Sequence, residues 1–121
     1  MKIQDIETPA LVLERNSFDK NFLLSTVVSR RDGLAVVDAG VKTCGVDQGN
    51  PMPCGFEVEE IVASEEHFQL HSPSVELNVG EKIRLIPAHC CSTVNLFDKI
   101  YVVDGDRVVD RFLITARGFG K

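Results

Sequence analysis

Short runs of β-branched and aliphatic residues, separated by turn residues, constrain the fold of this sequence more than any other feature. Residues 22–29, 34–38 and 108–114 are such runs, and Gly, Asp, Asn or Arg residues stand between them and their neighbours. Strands produce this pattern, whereas amphipathic helices repeat their apolar residues every three to four positions. The sequence therefore predicts an all-β fold, a small β-barrel or sandwich of about six to eight short strands.

The order of strands and turns can be placed along the chain. Residues 10–13 form a predicted buried strand, and residues 22–29 and 34–38 flank a short polar turn that predicts a hairpin. Asp104-Gly105-Asp106 is the turn of a second predicted hairpin. Residues 39–56 contain four glycines and two prolines, which predicts a long loop. Long loops in compact domains often carry function.

Charge and apolar patterning exclude several classes of function. The net charge is −5, and the thirteen Lys and Arg residues are scattered rather than gathered on one basic face, so no nucleic-acid partner is expected. No run approaches the ~20 apolar residues of a membrane span, and the first residues do not resemble a signal peptide. We therefore expect a cytoplasmic protein with no membrane partner, whose four cysteines are reduced thiols or metal ligands.

The strongest candidate for chemistry is residues 87–95, which contain the sequence His89-Cys90-Cys91. Imidazole and thiolate groups are good zinc ligands, and residues two apart in a loop can both face one ion. Two ligands do not complete a site, because a catalytic zinc usually has three protein ligands and a water. A buried histidine beside a packed cysteine is the commoner arrangement, so the residue types alone leave both interpretations open.

Two further segments combine polar residues near predicted turns. Residues 38–47 hold two acids, a lysine and two glycines, which fits a ligand site but fits a surface salt bridge with turn glycines better. Residues 64–67, Ser-Glu-Glu-His, read most simply as a charged strand edge. The sequence contains no phosphate-binding loop, no Gly-x-Gly-x-x-Gly and no Gly-x-Ser-x-Gly.

Taken together, these segments resemble the D-threonine aldolases and D-serine dehydratases, which are fold-type III pyridoxal-phosphate enzymes. Residues 5–13 are similar to the opening strand of that family, and residues 38–49 and 64–67 are similar to parts of its carboxy-terminal β-domain. Residues 87–98 resemble its metal-site motif, and residues 116–118 resemble its closing segment. The order is the same and nearly the whole chain is covered, with the metal motif as the most specific part.

The resemblance implies a metal site. Its ligands would be His89 and Cys91, with zinc favoured and manganese as the alternative. Glu7, Lys42 and Asp47 match positions that hold metal-bound water or line the site. A cysteine ligand is similar to the zinc-dependent D-serine dehydratases, whereas the residues that follow it resemble the D-threonine aldolases, so both activities stay open.

The chain departs from the family by lacking its catalytic barrel. Barrels of this kind typically have ~250 residues, and in the family the barrel supplies the lysine that binds the cofactor. Here Asn21 runs directly into Phe22, and none of the six lysines lies in a context that resembles the cofactor lysine. The sequence predicts one β-domain: residues 1–21 are the first strand and linker, residues 22–121 are the carboxy-terminal domain, and the seam is near 21/22.

The functional hypothesis follows from what the chain would retain. It predicts an isolated metal-binding β-domain, inactive without the barrel, with no catalytic residue in this chain alone and with assembly as a homodimer allowed. Pyridoxal phosphate and a D-3-hydroxy amino acid substrate are expected only in the full-length family. The alternatives are a subunit that completes a lyase active site with a separate barrel chain, and a structural β-module without a ligand.

Overall fold

Strands dominate the computed structural model, which describes residues 1–15 and 21–115. The described strands, in chain order, are β1 (Ala10–Glu14), β2 (Asn21–Arg31), β3 (Leu34–Val37), β4 (Met52–Pro53), β5 (Glu60–Ala63), β6 (Phe68–His71), β7 (Lys82–Ile86), β8 (Lys99–Asp104) and β9 (Arg107–Leu113). The helical residues in these ranges are a 3-10 turn, Ile3–Asp5, and the α-helix α1, Cys90–Val94. Neither helix is long and apolar enough to cross a membrane. The predicted all-β fold is confirmed.

The strands form one sheet that does not close into a barrel. Its main path runs β5-β6-β3-β2-β1-β8-β9, and β7 joins it by pairing with β2 and β4. The barrel alternative was therefore wrong: closure requires the two end strands to pair, and β5 and β9 are unpaired with each other in the described sheet. The strand count exceeds the prediction because the two-residue β4 interrupts the predicted long loop, residues 39–56.

The first strand pairs with strands that follow it in the chain. β1 is antiparallel to β2, with Val12 opposite Phe22, and parallel to β8, with Val12 opposite Tyr101. The prediction that residues 10–13 pair within the β-domain is confirmed. Asn21 and Phe22, at the predicted seam, are described, whereas residues 16–20 before them lie outside the described residues. The division of the chain at 21/22 stays a prediction.

Alternate side chains of β2 enter two different apolar clusters. Leu23 and Val27 belong to the first cluster, and Phe22 and Leu24 belong to the second. Successive strand residues point to opposite faces of a sheet, so an apolar run without alternation suits a strand that is covered on both sides. The buried members of the first cluster also include Ala35, Val37, Ala39, Cys44, Phe68, Leu70, Leu77, Ile83 and Leu85; those of the second include Ile6, Ala10, Val12, Tyr101 and Val103.

A carboxylate holds the junction at which β2 changes its partner. The β1 pairing ends at Leu24 and the β3 pairing begins at Val27. Between them, Asp38 accepts hydrogen bonds from the Ser25 hydroxyl at 2.7 Å and from the Thr26 backbone N–H at 2.8 Å. Its second oxygen accepts from the Thr8 hydroxyl at 2.6 Å. One side chain therefore joins the segment before β1, the middle of β2 and the end of β3.

We predict that Asp38→Asn lowers the free energy of unfolding by about 1.5–3 kcal/mol, because an amide NH₂ group would replace one oxygen among three donors. Urea unfolding of the purified variant measures this. The matched control is Asp32→Asn in the exposed turn after β2, where Asn-Gly suits the turn as well as Asp-Gly does, and we expect a change within about 0.5 kcal/mol. Equal losses in the two variants would contradict the role of Asp38.

Candidate metal-binding site

Two segments far apart in the sequence meet at the candidate site. One is the site loop, residues 39–51, which leaves β3, and the other is α1 with the preceding His89. The backbone N–H of Gly45 donates to the Thr93 hydroxyl at 3.0 Å. A Cβ on Gly45 would lie 1.8 Å from the Ser92 hydroxyl oxygen and 2.6 Å from its Cβ. The absence of a side chain at Gly45 is therefore what allows the loop to approach α1 so closely.

Asp47 of the site loop contacts two side chains of the α1 segment. Its Oδ2 lies 2.6 Å from Nδ1 of His89, and its Oδ1 accepts from the Ser92 hydroxyl at 2.7 Å. These bonds hold the pKa of the Asp47 carboxyl below its usual value, and the bond from Ser92 contributes more to this lowering than the bond from His89. An ionised carboxylate only accepts hydrogen bonds, so the Nδ1 atom of His89 must carry the proton. The Nε2 atom of the neutral ring then has its lone pair available for a metal.

The cysteines differ in their surroundings. His89 has extended backbone angles at the start of α1, and Cys90 and Cys91 form its first turn, both exposed. The helix replaces the loop that the sequence suggested here. The thiol of Cys90 accepts a hydrogen bond from the Asn21 amide at the start of β2. Cys44 is buried, and burial raises its pKa, so this thiol stays protonated. All four cysteines are described and none forms a disulfide.

Lys42 and Glu7 stand apart from this contact. Lys42 donates to Glu66 at 2.6 Å, and both side chains are exposed. That bond lowers the pKa of Glu66, but exposed ion pairs of this kind add little stability. Glu7 is exposed beside Thr8, which bonds to Asp38. The hydrogen bonds and ion pairs of the described residues join neither Lys42 nor Glu7 to His89.

Backbone contacts bring two of the predicted segments together. The N–H groups of Val41 and Lys42 donate to the carbonyls of Ser64 and Glu65, both at 3.0 Å. A Cβ on Gly40 would lie 2.5 Å from the backbone nitrogen of His67. Residues 64–67 are therefore not only a charged edge, because their backbone supports the first turn of the site loop.

The site is incomplete as a metal centre. Within residues 1–15 and 21–115, no group of three or more His, Cys, Asp and Glu side chains is arranged to hold an ion. The donors of suitable chemistry in this segment are His89, Cys90 and Cys91, of which the family resemblance selects His89 and Cys91. Zinc in proteins is usually four-coordinate, so water or another chain would have to supply the remaining ligands.

Sequence reasoning missed Ser92 and Thr93. Ser92 follows His89 by three positions, a spacing that brings two side chains to the same side of a helix. That signal becomes readable only when the segment is known to be helical. Thr93 is buried and bonds to both Gly45 and the His89 carbonyl, which fixes the first turn of α1 against the site loop.

Comparison with known families decides the relationship. Residues 21–103 match the putative serine dehydratase domain, which is more than half of the chain. The chain belongs to this family. The match includes the site loop, His89 and α1, so the contact described above lies within the family domain.

Two aldolases to which this chain is similar are much longer than the region they share with it. A 3-hydroxy-D-aspartate aldolase from Paracoccus denitrificans is 39% identical over 101 residues, which cover 82% of this chain and 26% of that protein. The crystal structure of D-threonine aldolase from Filomicrobium marinum matches with a TM-score of 0.71 and 36% identity, over 84% of this chain and 29% of that chain. The chain thus spans between a quarter and a third of the length of these aldolases.

In a third relative, the region shared with this chain covers a much larger share of the protein. An uncharacterized protein from Mycobacterium tuberculosis is 35% identical over 108 residues, which cover 78% of this chain and 80% of that protein. The region shared with this chain makes up most of that protein, whereas it is a minor part of the two aldolases.

We predict that Gly45→Ala lowers the free energy of unfolding by about 1–3 kcal/mol, because the new methyl group would overlap Ser92. Ser92→Gly removes the overlapped atoms and should cost about 1 kcal/mol as a glycine in a helix, in addition to the loss of the hydrogen bond to Asp47. The double variant should be more stable than the sum of the two losses predicts. Urea unfolding of all four proteins gives the coupling free energy, and strictly additive losses would show that the loop and α1 are not in close contact.

A second prediction concerns Asp47. NMR titration of its carboxyl carbon should give a midpoint below the usual value of about 3.9. Because the folded-state pKa is the lower one, the stabilisation from Asp47 is complete above the unfolded-state pKa and is lost as the pH falls through the folded-state pKa. The stability difference between the wild type and Asp47→Asn should therefore shrink as the pH falls below about 4. A difference that stays constant down to acid pH would contradict the bonds from Ser92 and His89.

Proposed function

We propose that this chain is an isolated metal-binding β-domain of the D-threonine aldolase and D-serine dehydratase kind, inactive without the catalytic barrel. The observation that carries the proposal is the 2.6 Å contact between His89 Nδ1 and Asp47. Metal-binding histidines usually donate their other ring N–H to a carboxylate or carbonyl, which fixes the ring and makes the metal-binding nitrogen more basic. His89 has this support from a residue 42 positions away in the sequence.

The types of donor fit zinc. His89 offers Nε2 and Cys91 offers a thiolate, and this combination suits a borderline-soft ion better than manganese, which prefers oxygen ligands. Two protein donors do not complete the coordination of a zinc ion, so water molecules would have to occupy two or more of its coordination positions. We expect weak binding for this reason, and we expect Asp47 to orient His89 rather than to contact the ion.

The proposed inactivity rests on what the chain does not share with its relatives. In the full-length family, pyridoxal phosphate stabilises a carbanion and a bound metal polarises the β-hydroxyl of a D-3-hydroxy amino acid. The cofactor lysine belongs to the barrel, and this chain corresponds to 26% of the Paracoccus aldolase. Its own residues would hold and orient the metal.

The Mycobacterium tuberculosis relative supports the isolated form. The shared region covers 80% of that protein, which leaves no room for a barrel of ~250 residues. A β-domain with its barrel missing therefore has a counterpart of similar extent. The alternative, a subunit that completes a lyase with a separate barrel chain, requires a partner polypeptide that carries a cofactor lysine.

We predict that zinc binds to the reduced protein and that Cys91→Ser abolishes this binding, whereas Cys90→Ser leaves the dissociation constant within about twofold, a change of less than 0.5 kcal/mol. Cys90 is the matched control, since it is also exposed, lies in the same turn of α1 and is bonded to Asn21. Isothermal titration calorimetry with zinc chloride measures all three proteins.

Two outcomes would redirect the proposal. A greater loss for Cys90→Ser, or equal losses, would show that the ligand assignment is wrong. No zinc binding by the wild type would favour a structural β-module. Co-purification of a chain with a pyridoxal-phosphate absorbance band would favour the two-chain lyase.

A further inference from the structure

The contact between the site loop and α1 contains a continuous chain of three side chains. The Ser92 hydroxyl donates to one oxygen of Asp47, and the other oxygen of Asp47 meets Nδ1 of His89, at 2.7 and 2.6 Å. Asp47 is about half exposed, with 47% of its side chain accessible, so burial does not fix its rotamer. Among the described residues, the side chains that hydrogen-bond to the Asp47 carboxylate are those of His89 and Ser92, so the bond from Ser92 is what restrains the carboxylate apart from His89 itself.

We propose that Ser92 is a positioning residue for His89: by holding one oxygen of Asp47, it aims the other at Nδ1 and leaves Nε2 of the ring unprotonated. This inference rests on the proposed function, because it assigns Ser92 a role in preparing the metal ligand. Ser92 would not contact the ion.

The geometry around Ser92 explains why its hydroxyl donates to Asp47 rather than to another acceptor. Its alternative acceptor is the His89 carbonyl, which lies at 3.4 Å and already accepts from the Thr93 hydroxyl at 3.0 Å. The bond to Asp47 is shorter and has an ionised acceptor, and such bonds are roughly twice as strong as neutral ones. The Ser92 hydroxyl therefore donates its hydrogen bond to the Asp47 carboxylate, while the Thr93 hydroxyl donates to the His89 carbonyl.

Loss of the hydroxyl should change the ring as well as the carboxylate. Without Ser92, the Asp47 side chain can rotate into water and its contact with Nδ1 becomes intermittent. A solvated imidazole that lacks this acceptor can carry its proton on Nε2, and that form cannot bind a metal through Nε2. Part of the population would then have to change tautomer before it binds an ion.

The test is a measurement of the His89 tautomer by ¹⁵N NMR in the metal-free protein. We expect the wild type to show the Nδ1–H form and Ser92→Ala to shift towards the Nε2–H form. Zinc titration of the same proteins should show a dissociation constant about tenfold higher for Ser92→Ala. Ser92→Thr, which retains a hydroxyl, should restore the wild-type tautomer.

A matched control and a second variant keep the result interpretable. Ser64→Ala removes a hydroxyl that donates to the His67 carbonyl, and it should leave the His89 tautomer unchanged. Asp47→Asn, at an exposed position, should shift the tautomer even if Ser92→Ala fails to fold. An unchanged tautomer in folded Ser92→Ala would overturn the inference, as would an unchanged tautomer in Asp47→Asn. A shifted tautomer in a protein whose wild type binds no zinc would support the role of Ser92 while it overturns the proposed function.

Discussion

The Asp38 carboxylate is the constraint on which the arrangement of this domain depends. It sits where β2 stops pairing with β1 and starts pairing with β3, and three donors from Thr8, Ser25 and Thr26 converge on it. A β-strand that changes partners leaves backbone and side-chain groups without a regular ladder, and a carboxylate with two acceptor oxygens can satisfy several of them at once. The Ser25 hydroxyl in turn accepts from the backbone N–H of Ala39, the first residue of the site loop. The direction in which the loop leaves the sheet is thus set by the same group of hydrogen bonds that holds the sheet together.

The site loop then reaches α1 through close backbone contacts rather than through large apolar side chains. Gly40 lies against residues 64–67, and Gly45 lies against Ser92, so both approaches require residues without a Cβ. Thr93 and Ser92 supply the hydroxyl groups that complete the contact. The side chains of Asp47 and His89 are less exposed than those of Lys42 and Glu66, although both contacts measure 2.6 Å.

This member of the serine dehydratase domain family has only part of the length of the aldolases that it resembles. This chain corresponds to 26% of one aldolase and 29% of another, and it includes the strand sheet, the site loop and α1. The His89–Asp47 contact forms between residues of this portion alone, because both segments are supported by the sheet and by each other. The contact of His89 with Asp47 therefore does not require the remaining length of those aldolases.

Local sequence determined the strands and the two hairpins. Strand runs and the turn at Asp104-Gly105-Asp106 are readable from neighbouring residues, because they depend on side-chain periodicity and turn chemistry, whereas the choice of His89, Cys91 and Asp47 came from the family resemblance. The open path of the sheet and the two-residue β4 were not readable, since each depends on partners distant in the chain. The same holds within the site: Asp47 and His89 meet across 42 positions, and Lys42 turns to Glu66 instead. Ligand types follow from the residues themselves, but which of them meet is decided by the glycines and hydroxyls that let the site loop pack on α1.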